Sequence, residues 1–176
     1  MRLSGIKKSV VAFFKTSLFV FCFTTSSFIF SQEVTTYYLI RHAEKETADP
    51  NNRNPHLTTI GMQRAHEWKT ILKAVPFDKI YSTSYFRTQE TAAPIAEERK
   101  LPIEAYDPRK LYTDSFKKRN LGKTILVVGH SNTTPVLANK ILGKETYPQI
   151  DDSIHGNLYL LQVIDGKVTH QLLNIE

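Results

Sequence analysis

Two histidines and two arginines, far apart along the chain, sit in settings that suit chemistry on a phosphoryl group. Arg41-His42-Ala43-Glu44 follows the run Val34 to Ile40, and Arg87 lies in Ser84-Tyr85-Phe86-Arg87-Thr88, a few residues after Lys79-Ile80-Tyr81-Ser82. Gly129-His130-Ser131-Asn132 follows the apolar run Thr124 to Val128. A phosphoryl group carries its negative charge on peripheral oxygens, and the planar fork of arginine meets such oxygens better than the point charge of lysine. A neutral imidazole attacks phosphorus to give a covalent phosphohistidine. A second imidazole, when protonated, donates to the transferring oxygens. Backbone N–H groups at the start of a helix after His130 would complete an anion site.

None of these elements is strong alone. A single histidine at a strand end is most often a satisfied polar residue, and clustered histidines also suggest zinc. The chain has no HExxH pattern and no compact ligand triad, and arginines beside the histidines would repel a cation. The sequence therefore calls for no metal and no cofactor.

The elements that must carry these groups can be read from apolar periodicity. Val34 to Ile40 is rich in β-branched and aromatic residues, as a strand requires. The polar stretch Asp49 to His56 reads as a loop, and Met62, Ala65, Trp68 or Lys69, and Leu72 predict a helix over 59–73. Lys79 to Ser82 predicts a short strand. A helix over 86–100 follows, with Pro94 expected to bend or restart it. Thr124 to Gly129 is apolar without alternation, the pattern of a central parallel strand buried on both faces. Asn132 to Leu142 predicts a helix stopped by Gly143. Asn157 to Ile164 and Lys167 to Leu173 predict two strands joined at Asp165-Gly166 as a hairpin. The expected fold is α/β in three layers: a mostly parallel central sheet, helices on both faces, and an antiparallel C-terminal hairpin at the edge. In such sheets ligands gather beyond the carboxyl ends of the strands, which is where Arg41, His42, Arg87 and His130 fall.

Taken as a set, Arg41-His42-Ala43-Glu44, Leu57 to Ala65, Ser84-x-x-Arg87-Thr88-x-x-x-Ala92 and Gly129-His130-Ser131-Asn132 resemble the histidine phosphatase superfamily, the phosphoglycerate-mutase-like group. The resemblance implies that His42 is the phosphorylated nucleophile, with Arg41, Arg87 and His130 forming the phosphate pocket. It places Ser131 and Asn132 where substrate is touched. Ala43 stands where the family often has glycine. Lys45 and Ala48 stand where many members have a hydroxyl residue and an asparagine, so that part of the substrate grip differs here. The resemblance also implies a carboxylate proton donor from the segment Leu101 to Arg109, where Asp107 is preferred and Glu104 is the alternative. The same Asp107 also reads as a turn cap before Pro108. Glu44 reads as orienting Arg41 or lying at the pocket rim, and Asp151, Asp152 and His155 as a solvated turn before the hairpin.

The formal net charge is +6, but its distribution argues against nucleic acid as a partner. Residues 1–31 hold Arg2, Lys7, Lys8 and Lys15 and no acid, leaving 19 basic against 17 acidic residues in 32–176. No cationic stripe interleaved with aromatics is present. The basic start, the apolar run from Val10 to Phe30 and the small residue Ser31 predict a cleaved signal peptide over 1–31, with one catalytic domain over 32–176. The expected product is exported, periplasmic or secreted, with no stable membrane span after cleavage; a retained N-terminal anchor is the alternative. Cys22 is the only cysteine, so no disulfide framework is expected in the domain. The expected function is metal-independent hydrolysis of a small phosphorylated substrate through phosphohistidine. A protein phosphohistidine phosphatase and a non-catalytic phospho-ligand-binding module are the alternatives. Residues 32–176 leave little room for the insertions that cover mutase sites, which favours a phosphatase.

Overall fold

The computed structural model describes residues 33–175; the expected signal segment lies outside them. In chain order the elements are β1 (Val34–Arg41), α1 (Thr59–Ile71), β2 (Lys79–Ser82), α2 (Phe86–Arg99), β3 (Ile103–Ala105), α3 (Asp114–Arg119), β4 (Thr124–Gly129), α4 (Thr133–Leu142), β5 (Asn157–Ile164) and β6 (Lys167–Asn174). They form a six-stranded sheet in the order β3-β2-β4-β1-β5-β6. The pairs β3/β2, β2/β4 and β4/β1 are parallel, whereas β5 runs antiparallel to β1 and β6 antiparallel to β5. This is the three-layer architecture expected from the sequence.

Alternation along the central strands sorts the core into two layers. Tyr37, Leu39, Ile125 and Val127 face one side and pack with Phe116 of α3 and with Leu137, Ala138 and Ile141 of α4. Ile40, Leu126, Val128 and Ile80 face the other, against Trp68 of α1 and Ala92, Ile95 and Ala96 of α2. Each such fully buried aliphatic side chain contributes about 1.5–3 kcal/mol relative to exposure. Covering both faces makes the sheet rigid, so the tips of β1, β2 and β4 become fixed points.

Several local features set the positions of those tips. Thr58 caps α1, its hydroxyl accepting from the Gly61 N–H at 3.0 Å. Gly61 then lies against the loop after His42: a Cβ there would stand 2.1 Å from the Glu44 carbonyl oxygen, so only glycine permits the contact. The core face of α1 is Gly61, Ala65, Trp68 and Leu72, and Met62 is exposed, one position off the stripe read from the sequence. Pro94 does not restart α2, which runs continuously from Phe86 to Arg99. The hairpin turn has positive φ at both Asp165 (49°) and Gly166 (76°), as a two-residue turn matched to the strand twist requires.

Candidate active site

His42 is the first residue beyond β1, and its backbone N–H donates to the Gly129 carbonyl at 2.9 Å, tying it to the end of β4. Its ring Nδ1 lies 2.7 Å from the Ala43 carbonyl oxygen. A carbonyl only accepts, so Nδ1 carries the proton and Nε2 keeps its lone pair. The residue is buried to 3% exposure. Burial is the main cause that lowers its pKa to about 3, and His130, Arg41 and Arg87 add to the effect, partly offset by the bond to Ala43. At neutral pH His42 is therefore an uncharged imidazole of defined tautomer, the state in which it can attack phosphorus.

His130 follows β4 and meets His42 edge to face, the ring centroids 5.5 Å apart. Its Nε2 is 3.0 Å from the Thr83 hydroxyl, which lies 2.8 Å from the hydroxyl of Thr88; Thr88 is in turn anchored on the Tyr85 carbonyl at 2.8 Å. The backbone N–H of His130 donates to Thr133 Oγ1 at 3.1 Å. Burial, then Arg87 and Arg41, lowers the His130 pKa to about 4. A bound dianion would act in the opposite direction and favour the protonated, doubly donating ring. Gly129 is required just before it, because a Cβ would fall 2.7 Å from Thr134 Oγ1 and 3.0 Å from the Tyr106 hydroxyl.

The two arginines flank these rings, and burial is the first cause that lowers the pKa of each. Arg41 is held from behind: Nη1 donates to the carbonyls of Asp151 and Ile154, both at 2.9 Å, and Nη2 to the Asp152 carboxylate at 3.1 Å. Arg87 lies over the Tyr85 ring at 4.3 Å, and its Nη1 is 3.5 Å from the Arg53 carbonyl. The Nε atoms of both arginines are buried without a hydrogen-bond partner. Unspent buried donors are costly, and two of them beside two imidazoles fit an anion with several acceptor oxygens.

The structure thus brings together Arg41, His42, Arg87 and His130. Ser131 is half-buried, and its carbonyl accepts from Ile150 N–H at 2.9 Å. Asn132 is exposed at the N-terminus of α4, which no side chain caps. Asp107 is engaged by Arg109, whose Nε and Nη2 donate to its two oxygens at 3.0 and 2.9 Å. Those bonds are the main cause that holds its pKa down at about 2, so its carboxyl is ionised at neutral pH. Glu104 pairs with Lys79 at 2.5 Å, a residue at the start of β2 rather than its catalytic end. An open cavity of about 740 Å³, with Asp107 on its wall, is lined by Thr83 to Tyr85 and by Ala105 to Arg109.

Two expectations are corrected. Glu44 does not orient Arg41; its carboxylate takes Arg64 Nε at 2.8 and 3.0 Å, joining the loop after His42 to α1. Asp151 and Asp152 are exposed, as read from the sequence, yet the 151–155 turn is also part of the site. Besides holding Arg41, it brings the His155 ring to 6.2 Å from that of His42, with Nδ1 3.1 Å from the His42 carbonyl. The antiparallel pairing of β5 with β1 forces this, since the residues before β5 must lie at the end of β1. That pairing was the available signal. The polar composition of the turn hid it. Tyr85, edge-on to His130 at 5.2 Å, was also missed as a site residue. Among the described residues, no group of three or more His, Cys, Asp or Glu is placed to hold a metal ion.

The fold and the site form a pocket of arginines and imidazoles on strand tips of a mostly parallel sheet, suited in charge and donors to a phosphoryl group. Residues 37–108 match the model of the histidine phosphatase superfamily (branch 1). Over that stretch, 72 of the 176 residues, the chain is similar to that superfamily. Solved structures agree in fold. The protein histidine phosphatase SixA complexed with tungstate superposes with a TM-score of 0.65 at 16% identity, covering 79% of this chain and 96% of its own. The α-ribazole phosphatase of Shigella flexneri gives 0.62 at 18%, covering 80% and 96%. The phosphoglycerate mutase of Bacillus anthracis str. Sterne gives 0.58 at 18%, covering 81% and 93%. No curated protein matches the chain in sequence.

Proposed function

We propose that this protein hydrolyses a small phosphorylated substrate without a metal ion, through a phosphohistidine on His42. Arg41, Arg87 and His130 hold the phosphoryl oxygens while His42 Nε2 attacks phosphorus in line with the departing oxygen. The N–P bond forms as the P–O ester bond breaks, and the leaving oxygen takes up a proton. Water then attacks phosphorus, the N–P bond breaks, and inorganic phosphate leaves with the neutral imidazole restored. The observation that carries this reading is the tautomer of His42: Nδ1–H is committed to the Ala43 carbonyl, so the lone pair is on Nε2. The tungstate in the SixA structure is an oxyanion of the kind this site would hold.

The decisive experiment is rapid quenching at alkaline pH after mixing with p-nitrophenyl phosphate, followed by mass spectrometry. Phosphate is expected on His42, and His42→Ala should lose both the label and turnover, by about 10³-fold or more, while remaining folded. A His42→Ala variant with normal turnover would end the proposal.

A second reading concerns the leaving group. With Asp107 engaged by Arg109, the preferred proton donor is not poised, which favours substrates whose leaving group departs without carboxylic-acid help. Phosphohistidine on a protein is one such substrate, as the name of SixA indicates for that protein. The basic and apolar segment over 1–31 supports export, which would place the enzyme among extracytoplasmic phosphate esters instead.

A further inference from the structure

We propose that His155 is a positioning residue for His42: it fixes the peptide plane that aims the nucleophilic ring. The inference rests on the reading of His42 as the nucleophile. The peptide between His42 and Ala43 is gripped at both polar ends. Its N–H donates to Thr91 Oγ1 at 3.0 Å, and its carbonyl accepts from His155 Nδ1 at 3.1 Å. The next carbonyl along, that of Ala43, is the acceptor for the His42 ring. Rotation of the gripped peptide therefore moves the acceptor that sets both the tautomer and the direction of Nε2. Thr91 comes from the middle of α2 and His155 from the turn before β5, so the plane is pinned by two elements more than sixty residues apart in sequence.

The chemistry demands a donor at position 155. The His42 carbonyl cannot donate, so His155 holds its proton on Nδ1. The ring is half-buried, and its other neighbours are charged: Arg41, Glu44 and Arg64 all act on it electrostatically. The turn that carries it also holds the Arg41 guanidinium through two carbonyls and Asp152. One short segment thus sets the direction of both the nucleophile and a phosphate-binding cation. Even a small rotation of a nucleophile lowers the rate about tenfold or more, with little effect on ground-state binding.

The test compares His155→Leu, which removes the donor, with His155→Asn, whose amide nitrogen can take the place of Nδ1. With p-nitrophenyl phosphate, H155L should lower kcat about tenfold, leave inhibition by inorganic phosphate unchanged, and slow formation of the His42 phosphoenzyme in a burst experiment. H155N should restore most of the rate. An unaffected kcat in H155L, or an H155N variant as impaired as H155L, would overturn the proposal. If H155L does not fold, the wild-type protein decides by 15N NMR of its histidines. His155 must carry its proton on Nδ1 with Nε2 bare, and the opposite tautomer rejects the idea. That measurement needs no turnover, so it stands apart from failure of the phosphohistidine reading, which persistence of the label in His42→Ala would reveal.

Discussion

On the side of β1 and β4, Arg41 and His42 are each 3% exposed, and every polar contact they make is to backbone or to a neighbouring loop. On the side of β3, Asp107 and Arg109 have side-chain exposures of 31% and 86% and bond only to each other, on the rim of an open cavity. The first region is a rigid anion cradle whose charges are tuned by burial. The second is a solvent-facing shelf whose ion pair is screened and worth little to stability. The contrast separates two tasks. On the proposed function the cradle recognises a phosphoryl group and would do so on almost any substrate. Selectivity for the rest of the molecule would then fall to the shelf and to the 46–55 loop, where Asn54 Oδ1 accepts from Phe86 N–H at 2.8 Å and steadies the start of α2.

If the cradle works by directed donors rather than by net charge, replacing Arg87 by lysine should be nearly as harmful as removing it. Lysine keeps the positive charge but loses the fork whose buried Nε is unspent. Loss of one such donor should lower kcat/KM for p-nitrophenyl phosphate by about 10²–10³-fold. A Lys variant within a few-fold of wild type would mean that diffuse charge suffices, and the contrast between cradle and shelf would weaken.

The pH dependence of stability tests the cradle without substrate. His42 and His130 have pKa values lowered to about 3 and about 4 from an ordinary 6.5. Above pH 6.5 both are neutral whether the chain is folded or not, so they impose no penalty. Below it the unfolded chain takes up protons that the folded site refuses, and stability falls until about pH 3–4. His155, also lowered, adds to the same slope. Asp107 does not confuse the window, since its depressed pKa matters only below its ordinary 3.8. The thermal midpoint in phosphate-free buffer should therefore drop between pH 7.5 and 4.5, and His130→Asn should flatten that drop. A flat wild-type profile would show that the imidazoles are not buried as the cradle requires.

How much of this was legible in the sequence depended on how far each element's pattern reached beyond itself. The unbroken apolar run of β4 and the β-branched run of β1 announced buried strands, and the residues just after them were therefore candidates. β3 has only three residues, half-exposed or exposed, and α3 only six, so neither carries a period long enough to read. Pro94 was over-read as a restart: a helix packed along one face against β2 and α1 continues through it despite one missing hydrogen bond. The 151–155 turn was under-read because its role comes from strand pairing, a property of the sheet and not of the turn's own composition. Asp107 shows the converse limit. A carboxylate in the expected segment says nothing of whether an arginine two residues later has taken it.

That last point gives the smallest and most discriminating effect. Asp107→Asn removes the ionised carboxylate and releases Arg109, while leaving the cradle untouched. If the shelf supplies no proton, kcat/KM for p-nitrophenyl phosphate should change by no more than about twofold, as for an exposed substitution. Hydrolysis of an alkyl phosphate such as glycerol phosphate should be slow in wild type and change equally little. If instead substrate draws Arg109 away and frees Asp107 to act as an acid, alkyl phosphate hydrolysis should fall by about 10²-fold or more, and aryl phosphate hydrolysis far less. The pair of substrates is what makes the variant informative. An aryl oxide leaves without a proton and an alkoxide does not, so the ratio of the two losses measures whether the carboxylate takes part in bond cleavage or only shapes the rim.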